Sequence, residues 1–351
     1  MNARILLVLV SCLVSVLTGL VISRGEGGSE GRGKPLIGFS METLKEERWQ
    51  MDRDLFVEAV RERGADVLVQ AANGDDAVQL TQVRSLLTQG IDVLVIIPRD
   101  GEAMAKAVEL AHAEDVPVLS YDRLLMNCEP DLYITFDSVK VGEMQGRFVA
   151  ERVPENGKLR LVRIYGAKTD NNALLFKQGQ DNILGPLIEA GRIEVVLEDW
   201  AVDWKPENAK RIVNAAITRA GRDGIDAVLA SNDGTAGGAI QALLEEGLAG
   251  KVLVTGQDAE LTACQRIVQG TQSMTVYKPI VSIAGAAAEA AAKMARGRRV
   301  SAGGTTFNGK IEVPSVVLDI VEVTKENLRE TVIADGFRRE EDVFAGGGAL
   351  E

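Results

Sequence analysis

The 351-residue chain is 46% hydrophobic and 26% charged, the balance of an ordinary globular protein, and it is too long for one simple core. Its net charge of −12, with lysines and arginines scattered along the chain, excludes a nucleic-acid-binding face, which needs a basic patch to meet phosphate. A single histidine, His112, and three distant cysteines, Cys12, Cys128 and Cys264, exclude a zinc site, and Cys128 and Cys264 are expected to be unpaired.

The first element is "ILLVLVSCLVSVLTGLVI", an apolar stretch from Ile5 to Ile22 preceded by Arg4. Residues 1–23 read as a signal peptide or a membrane anchor. "LVSC", ending at Cys12, also resembles a bacterial lipoprotein box, and each alternative exports the rest of the chain. "RGEGGSEGRGKP" makes residues 24–34 a flexible tether. From Pro35 onward, short apolar runs alternate with helical patterns. The first five runs are "PLIGFS", "ADVLVQA", "DVLVIIP", "VPVLSY" and "LYITF". The next five are "LRLVRIYG", "IEVVLED", "AVLAS", "KVLVTG" and "SMTVYK". Such alternation predicts an α/β fold of βα units with parallel sheets, helices on both faces, and ligand sites at the C-terminal ends of strands.

The chain also repeats itself. "GIDVLVIIPRDG", from Gly90, and "GIDAVLASNDG", from Gly224, both lead through a helix and a strand to an aspartate, Asp122 and Asp258. Two similar lobes are therefore expected, with a ligand cleft between their strand ends.

The residues after the strands share one chemistry. They are Arg48 and Trp49; Asp122 and Arg123; Asp170, Asn171 and Asn172; Trp204; Asn232 and Asp233; Asp258; and Lys278. Carboxylates accept from hydroxyls, Arg, Lys and amide groups donate to them, and indoles cover apolar C–H faces, so the set suits a monosaccharide. Any one Asp or Asn here is also an ordinary helix N-cap. "NDGTAGGA" lacks the GxGxxG spacing of a nucleotide loop, Trp200 reads as packing, and His112 sits in a helix-surface pattern. "GFSME" is not a GxSxG nucleophile motif and the lone histidine cannot complete a triad, so no enzyme activity and no cofactor or metal are expected.

At these positions "ERWQMDRD", "LSYDR", "VGEMQG", "DNNA", "PENA", "ASNDGTAGGAIQAL", "TGQDAEL" and "GTQSMTVYKP" resemble the D-xylose-binding proteins of bacterial ABC sugar importers, over roughly Pro35 to Phe337. The resemblance implies a periplasmic-binding-protein-like type I fold: two doubly wound parallel-sheet lobes joined by three crossing strands and closing on one pentose, D-xylose. It implies an N-terminal lobe of residues 35–136 and 278–312 and a C-terminal lobe of 137–277 and 313–337, while the acidic, glycine-rich end "RREEDVFAGGGALE" makes residues 338–351 a disordered tail. Arg48, Trp49, Asp122 and Arg123 would come from the first lobe. Asn171, Asn172, Trp204, Asn232 and Asp258 would come from the second, with Lys278 near a hinge and Asp170 and Asp233 completing the set. The implied partners are an ABC permease or, for a sensor, a chemoreceptor. The implied form is an exported monomer, periplasmic or on the outer face of the membrane. The chain departs from the family pattern at "VDW", where "DGW" is usual, and at "METLKEERW", where an aspartate-bearing loop is usual.

Overall fold

A computed structural model of the protein describes residues 33–345. The apolar runs form the expected strands. The first half holds β1 (Leu36–Met41), β2 (Asp66–Ala71), β3 (Val93–Ile96), β4 (Val118–Tyr121) and β5 (Leu132–Phe136). The second half holds β6 (Leu159–Tyr165), β7 (Ile193–Trp200), β8 (Ala227–Ala230), β9 (Leu253–Val254) and β10 (Thr275–Tyr277). Between them run α1 (Glu47–Glu62), α2 (Asp76–Thr88), α3 (Ala105–Ala113), α4 (Ser138–Ala150), α5 (Asn171–Glu189), α6 (Pro206–Ala220), α7 (Asp233–Glu245) and α8 (Leu261–Gln269). After β10 come α9 (Ile280–Met294), β11 (Gly304–Phe307), β12 (Glu312–Leu318), β13 (Val321–Val323) and α10 (Glu340–Phe344).

Short polar side chains start several of these helices. Asp75, Asp137, Asp170 and Asn232 each accept a backbone N–H in the first turn of α2, α4, α5 and α7, satisfying donors that the helix itself leaves free. Pro206 opens α6, where its missing N–H costs nothing.

The first sheet runs β11-β12-β5-β4-β3-β1-β2, and the second runs β7-β6-β8-β9. In each, the first strand lies between the second and third, and the fourth follows the third. β10 continues the second sheet, because Ser273 and Val276 donate their N–H groups to Val254 and Gly256, and β13 pairs antiparallel with β10. The internal repeat is thus a structural one, since "GID" leads into β3 in one lobe and β8 in the other. Asp122 and Asp258 match in detail. Each donates its backbone N–H at 2.8 Å to the fifth strand, at Ile134 and Val276, and both have positive φ, 59° and 99°.

The first lobe is centred on Phe39, Phe56 and Tyr121, all fully buried, with the Phe39 and Phe56 ring centroids 4.5 Å apart. Burying each such ring stabilises the fold by roughly 2–3 kcal/mol. The alanine-rich α9 packs on α1, which its small side chains permit, and so returns the chain to the first lobe after β10.

The chain crosses between lobes three times: after β5, after β10, and between β12 and β13. Two expected boundaries move. Residues 313–318 were expected in the second lobe, but β12 pairs in parallel with β5, from Ser315 opposite Tyr133 to Leu318 opposite Phe136. They belong to the first sheet, and the crossing falls after Leu318. The tail expected to be disordered from residue 338 is ordered through residue 345. Arg338 is buried, donates through Nε to the Ala259 carbonyl at 2.9 Å and pairs with Glu47, and α10 comes directly after it. Residues 1–32, with the expected signal or anchor and most of the tether, lie outside the described residues, as do 346–351. Among the described residues no helix is long and apolar enough to cross a membrane. Cys128 and Cys264 are buried and unpaired.

Candidate functional site

A pocket lies between the strand ends of the two lobes. Ten of the twelve residues singled out from the sequence line it, together with Glu46, Phe176 and Gln257. From the first lobe come Arg48, Trp49, Asp122 and Arg123. From the second come Asp170, Asn172, Trp204, Asn232 and Asp258, and Lys278 leaves β10 at a crossing.

Arg48 is the hub. From the first turn of α1 its buried guanidinium donates to Asp122 Oδ1 at 2.6 Å, to Asp258 Oδ1 at 3.1 Å and to Asp52 Oδ2 at 3.2 Å. Lys278 Nζ stands 3.2 Å from Asp258 Oδ1 and 3.8 Å from Asp122 Oδ1. Burial alone would raise the Asp122 carboxyl, but Arg48 and Lys278 beside it carry it down to about 2. Burial dominates at Asp52 and lifts it to about 6, even with Arg48 alongside and the Tyr121 hydroxyl donating to it.

A second network faces the first. Arg123 pairs with Asp170 Oδ2 at 2.9 Å and Glu42 Oε1 at 3.1 Å. Asp170 uses Oδ1 to cap α5 at the Asn172 N–H, 2.9 Å away, and Oδ2 to receive the Trp204 indole N–H at 3.2 Å. Asn172 Nδ2 reaches across to the Asp122 carbonyl at 3.0 Å. The Arg48–Asp258, Arg123–Asp170 and Asn172–Asp122 bonds all span the lobes, so this conformation is closed.

Three aromatic rings border the pocket. The Arg48 and Arg123 guanidiniums lie 4.5 and 5.2 Å from the Trp49 ring centroid. Trp204 meets Phe176 edge-on at 6.3 Å. The turn that delivers Trp204 is backbone-strained: Asp203 and Trp204 have φ of 55° and 57°. Asp203 takes the left-handed conformation without being glycine, and its carboxylate is held by Arg99 at 2.9 Å and Lys205 at 3.2 Å. The ring lies directly on Gly166, where an added β-carbon would sit 2.0 Å from Trp204 Cη2.

Two sequence-predicted residues do not line the pocket. Asn171 opens α5 half-buried, one helix position away from the inward-facing Asn172. Asp233 is fully buried behind the pocket wall, where it accepts from Gln272 Nε2 at 2.7 Å, the Thr275 hydroxyl at 2.9 Å and the Glu260 N–H at 3.0 Å. It occupies space that a β-carbon on Gly256 would take, 2.0 Å from its Oδ1. Asp233→Ala is therefore expected to lower unfolding free energy by about 2–3 kcal/mol in denaturant titration, by stranding three buried donors. Loss of less than about 0.5 kcal/mol would contradict this structural role.

Sequence reasoning passed over Glu46, Phe176 and Gln257. Phe176 lies one helical turn after Asn172 and so shares its face, a signal present in "NNALLF". Gln257 adjoins Asp258 and Glu46 lies two residues before Arg48, but sequence spacing alone does not tell which neighbour faces inward.

Six buried side-chain polar atoms among the described residues have no hydrogen-bond partner, and three of them, Glu46 Oε2, Asn172 Oδ1 and Gln257 Oε1, belong to this pocket. All three are acceptors. Native proteins seldom leave such atoms unpaired, so a ligand bearing several donors fits here. Each of the three cations, Arg48, Arg123 and Lys278, is already engaged by Asp122, Asp170 or Asp258, and Glu46 adds a fourth carboxylate to the lining, so no unpaired cation is left to hold an anionic ligand.

Residues 37–299 match the model of the periplasmic binding protein domain. A D-xylose-binding periplasmic protein of Haemophilus influenzae is 45% identical over 331 residues, spanning 94% of this chain and 98% of its own. Its namesake in Escherichia coli is also 45% identical, spanning 88% and 92%. A carbohydrate transporter solute binding protein from Chloroflexus aurantiacus, solved in complex with D-glucose, superposes with a TM-score of 0.83 at 32% identity, covering 89% of this chain and 98% of that one. With its paired lobes, three crossings and interlobe pocket, the chain belongs to the periplasmic binding protein family, of type I fold, alongside the D-xylose-binding members.

Proposed function

We propose that this protein is an extracytoplasmic binding protein that captures D-xylose by lobe closure and hands it to an ABC permease. The observation that carries this reading is the trio of unpaired acceptors, Glu46 Oε2, Asn172 Oδ1 and Gln257 Oε1, inside a pocket whose cations are all paired and which Trp49, Phe176 and Trp204 border. A neutral polyol supplies the missing O–H donors, and its C–H faces suit the rings. D-xylose is preferred over D-glucose because the relatives named for xylose are 45% identical, whereas the glucose-bound neighbour is 32% identical.

In this reading an open form takes the sugar on one lobe, and the other lobe then adds its own bonds. A sugar that touches both lobes only when they meet shifts the population toward the closed form. No bond of the sugar is made or broken, so the protein is a carrier and not an enzyme. A single chain supplies both jaws, which fits action as a monomer. The apolar run Ile5 to Ile22 fits export to the side of the membrane where the xylose-binding relatives work, with or without a retained tether.

Two of the three tryptophans border the pocket, so titrating the protein with D-xylose is expected to give a saturable change in tryptophan fluorescence and protection from acrylamide. A linear, unsaturated response would count against the assignment. Gly166→Ala is expected to push Trp204 off its seat and weaken sugar binding by about tenfold, with little loss of helix content in circular dichroism. Unchanged affinity would show that Trp204 does not need that seat.

A further inference from the structure

Glu46 is placed as neither a helix cap nor an ion-pair partner. It holds the N-cap position of α1 with extended backbone, φ −78° and ψ 142°, yet its side chain makes no capping bond. The neighbouring cation Arg123 is engaged by Asp170 at 2.9 Å and Glu42 at 3.1 Å. Glu46 Oε2 is buried without a partner. Burial raises the Glu46 carboxyl, and the nearby Glu42 adds to the shift. With Arg123 and Trp204, Glu46 borders both the pocket and the wider cleft beside it, where Thr43, Arg99 and Lys205 lie. It therefore stands where a bound sugar would face the mouth of the cleft.

We propose that Glu46 is a sugar-contacting residue that accepts a hydrogen bond from the one ring hydroxyl directed at the cleft mouth, and so determines which pyranoses the closed pocket retains. This rests on the sugar-binding reading and deepens it. An unpaired, desolvated carboxylate oxygen gains most from a hydroxyl that meets it and rejects a ring that leaves it empty. Asn172 Oδ1 and Gln257 Oε1, the other unpaired acceptors, belong to the second lobe, so Glu46 is the first lobe's contribution to the trio.

The test is calorimetric titration of the full chain, Glu46→Leu and Glu46→Gln with D-xylose and with the analogues that each lack one ring hydroxyl. Glu46→Leu is expected to bind D-xylose on the order of 10- to 100-fold more weakly, and Glu46→Gln, which keeps an acceptor oxygen, to lose less. For one analogue, and only one, the Glu46→Leu penalty should shrink to within about twofold, because the hydroxyl that Glu46 reads is already absent. An equal penalty for every analogue would mean fold damage or long-range charge and would overturn the proposal. Glu46→Leu binding D-xylose within about twofold of the unaltered protein would overturn it too. If the unaltered protein binds no sugar, the functional reading itself fails, and that outcome is seen before any variant is compared.

Discussion

Arg48→Met is expected to weaken sugar binding by on the order of a hundredfold or more, the largest loss from any single substitution in the pocket. Arg48 holds Asp52, Asp122 and Asp258 at once, and all three carboxylates are buried. Methionine fills much of the same space but leaves Asp122 and Asp258 with Lys278 as their remaining ion-pair partner and Asp52 with none among the described residues. Removing one partner of a buried ion pair costs about 3–5 kcal/mol, because the other charge stays desolvated. Asp122 and Asp258 lie on opposite lobes, so part of that cost falls on closure itself and appears as lost affinity. Arg48→Lys keeps the charge but cannot fork to three acceptors, and should fall between the two. Calorimetry on variants shown to be folded by circular dichroism checks the order. Arg48→Met binding within about threefold of the unaltered protein would contradict the hub assignment.

Trp204→Ala is expected to cost nearly as much. Truncating a buried tryptophan costs about 3–5 kcal/mol in a packed setting, and here it also removes the indole N–H from Asp170 and opens the pocket to water. Affinity should fall by on the order of a hundredfold, with a smaller loss of stability, since two left-handed residues relax when the ring is gone. Trp200→Ala is the control. Trp200 packs on Tyr165 at 4.9 Å and does not line the pocket, so its loss should alter stability far more than affinity. Equal affinity losses for the two variants would remove Trp204 from the sugar's surroundings.

The sequence is most readable where physical constraints repeat. Buried parallel strands need continuous apolar runs, and the ten strands β1 to β10 all lie in such runs. β11 is exposed at three of its four residues, and β12 carries Pro314, which argues against a strand lying between two neighbours; neither announces itself. That is why the lobe boundary expected after residue 312 falls too early. The tail reads as disordered because "RREED" is charged, while the burial of Arg338 depends on Glu47 and Ala259, far away in sequence. In the site, Asp170 and Asn232 cap their helices and line the pocket at once, so the capping role does not compete with a place in the site. Asp233 and Asn171 show the limit. Both occupy strand-end positions, but which way a side chain turns there depends on packing from Gly256 and Thr275 or on one step of helix phase. Glu46 reads as one more charge in "KEERW" until its oxygen is found buried and unpaired.

The most direct measurement is calorimetric titration of the purified protein with D-xylose, set beside D-ribose, L-arabinose, D-glucose and D-galactose. One site per chain is expected, with micromolar or tighter affinity for D-xylose and weaker binding of the other four. Tighter binding of D-glucose than of D-xylose would contradict the ligand assignment while keeping the pocket, and heats of dilution alone for all five sugars would contradict sugar capture by this protein.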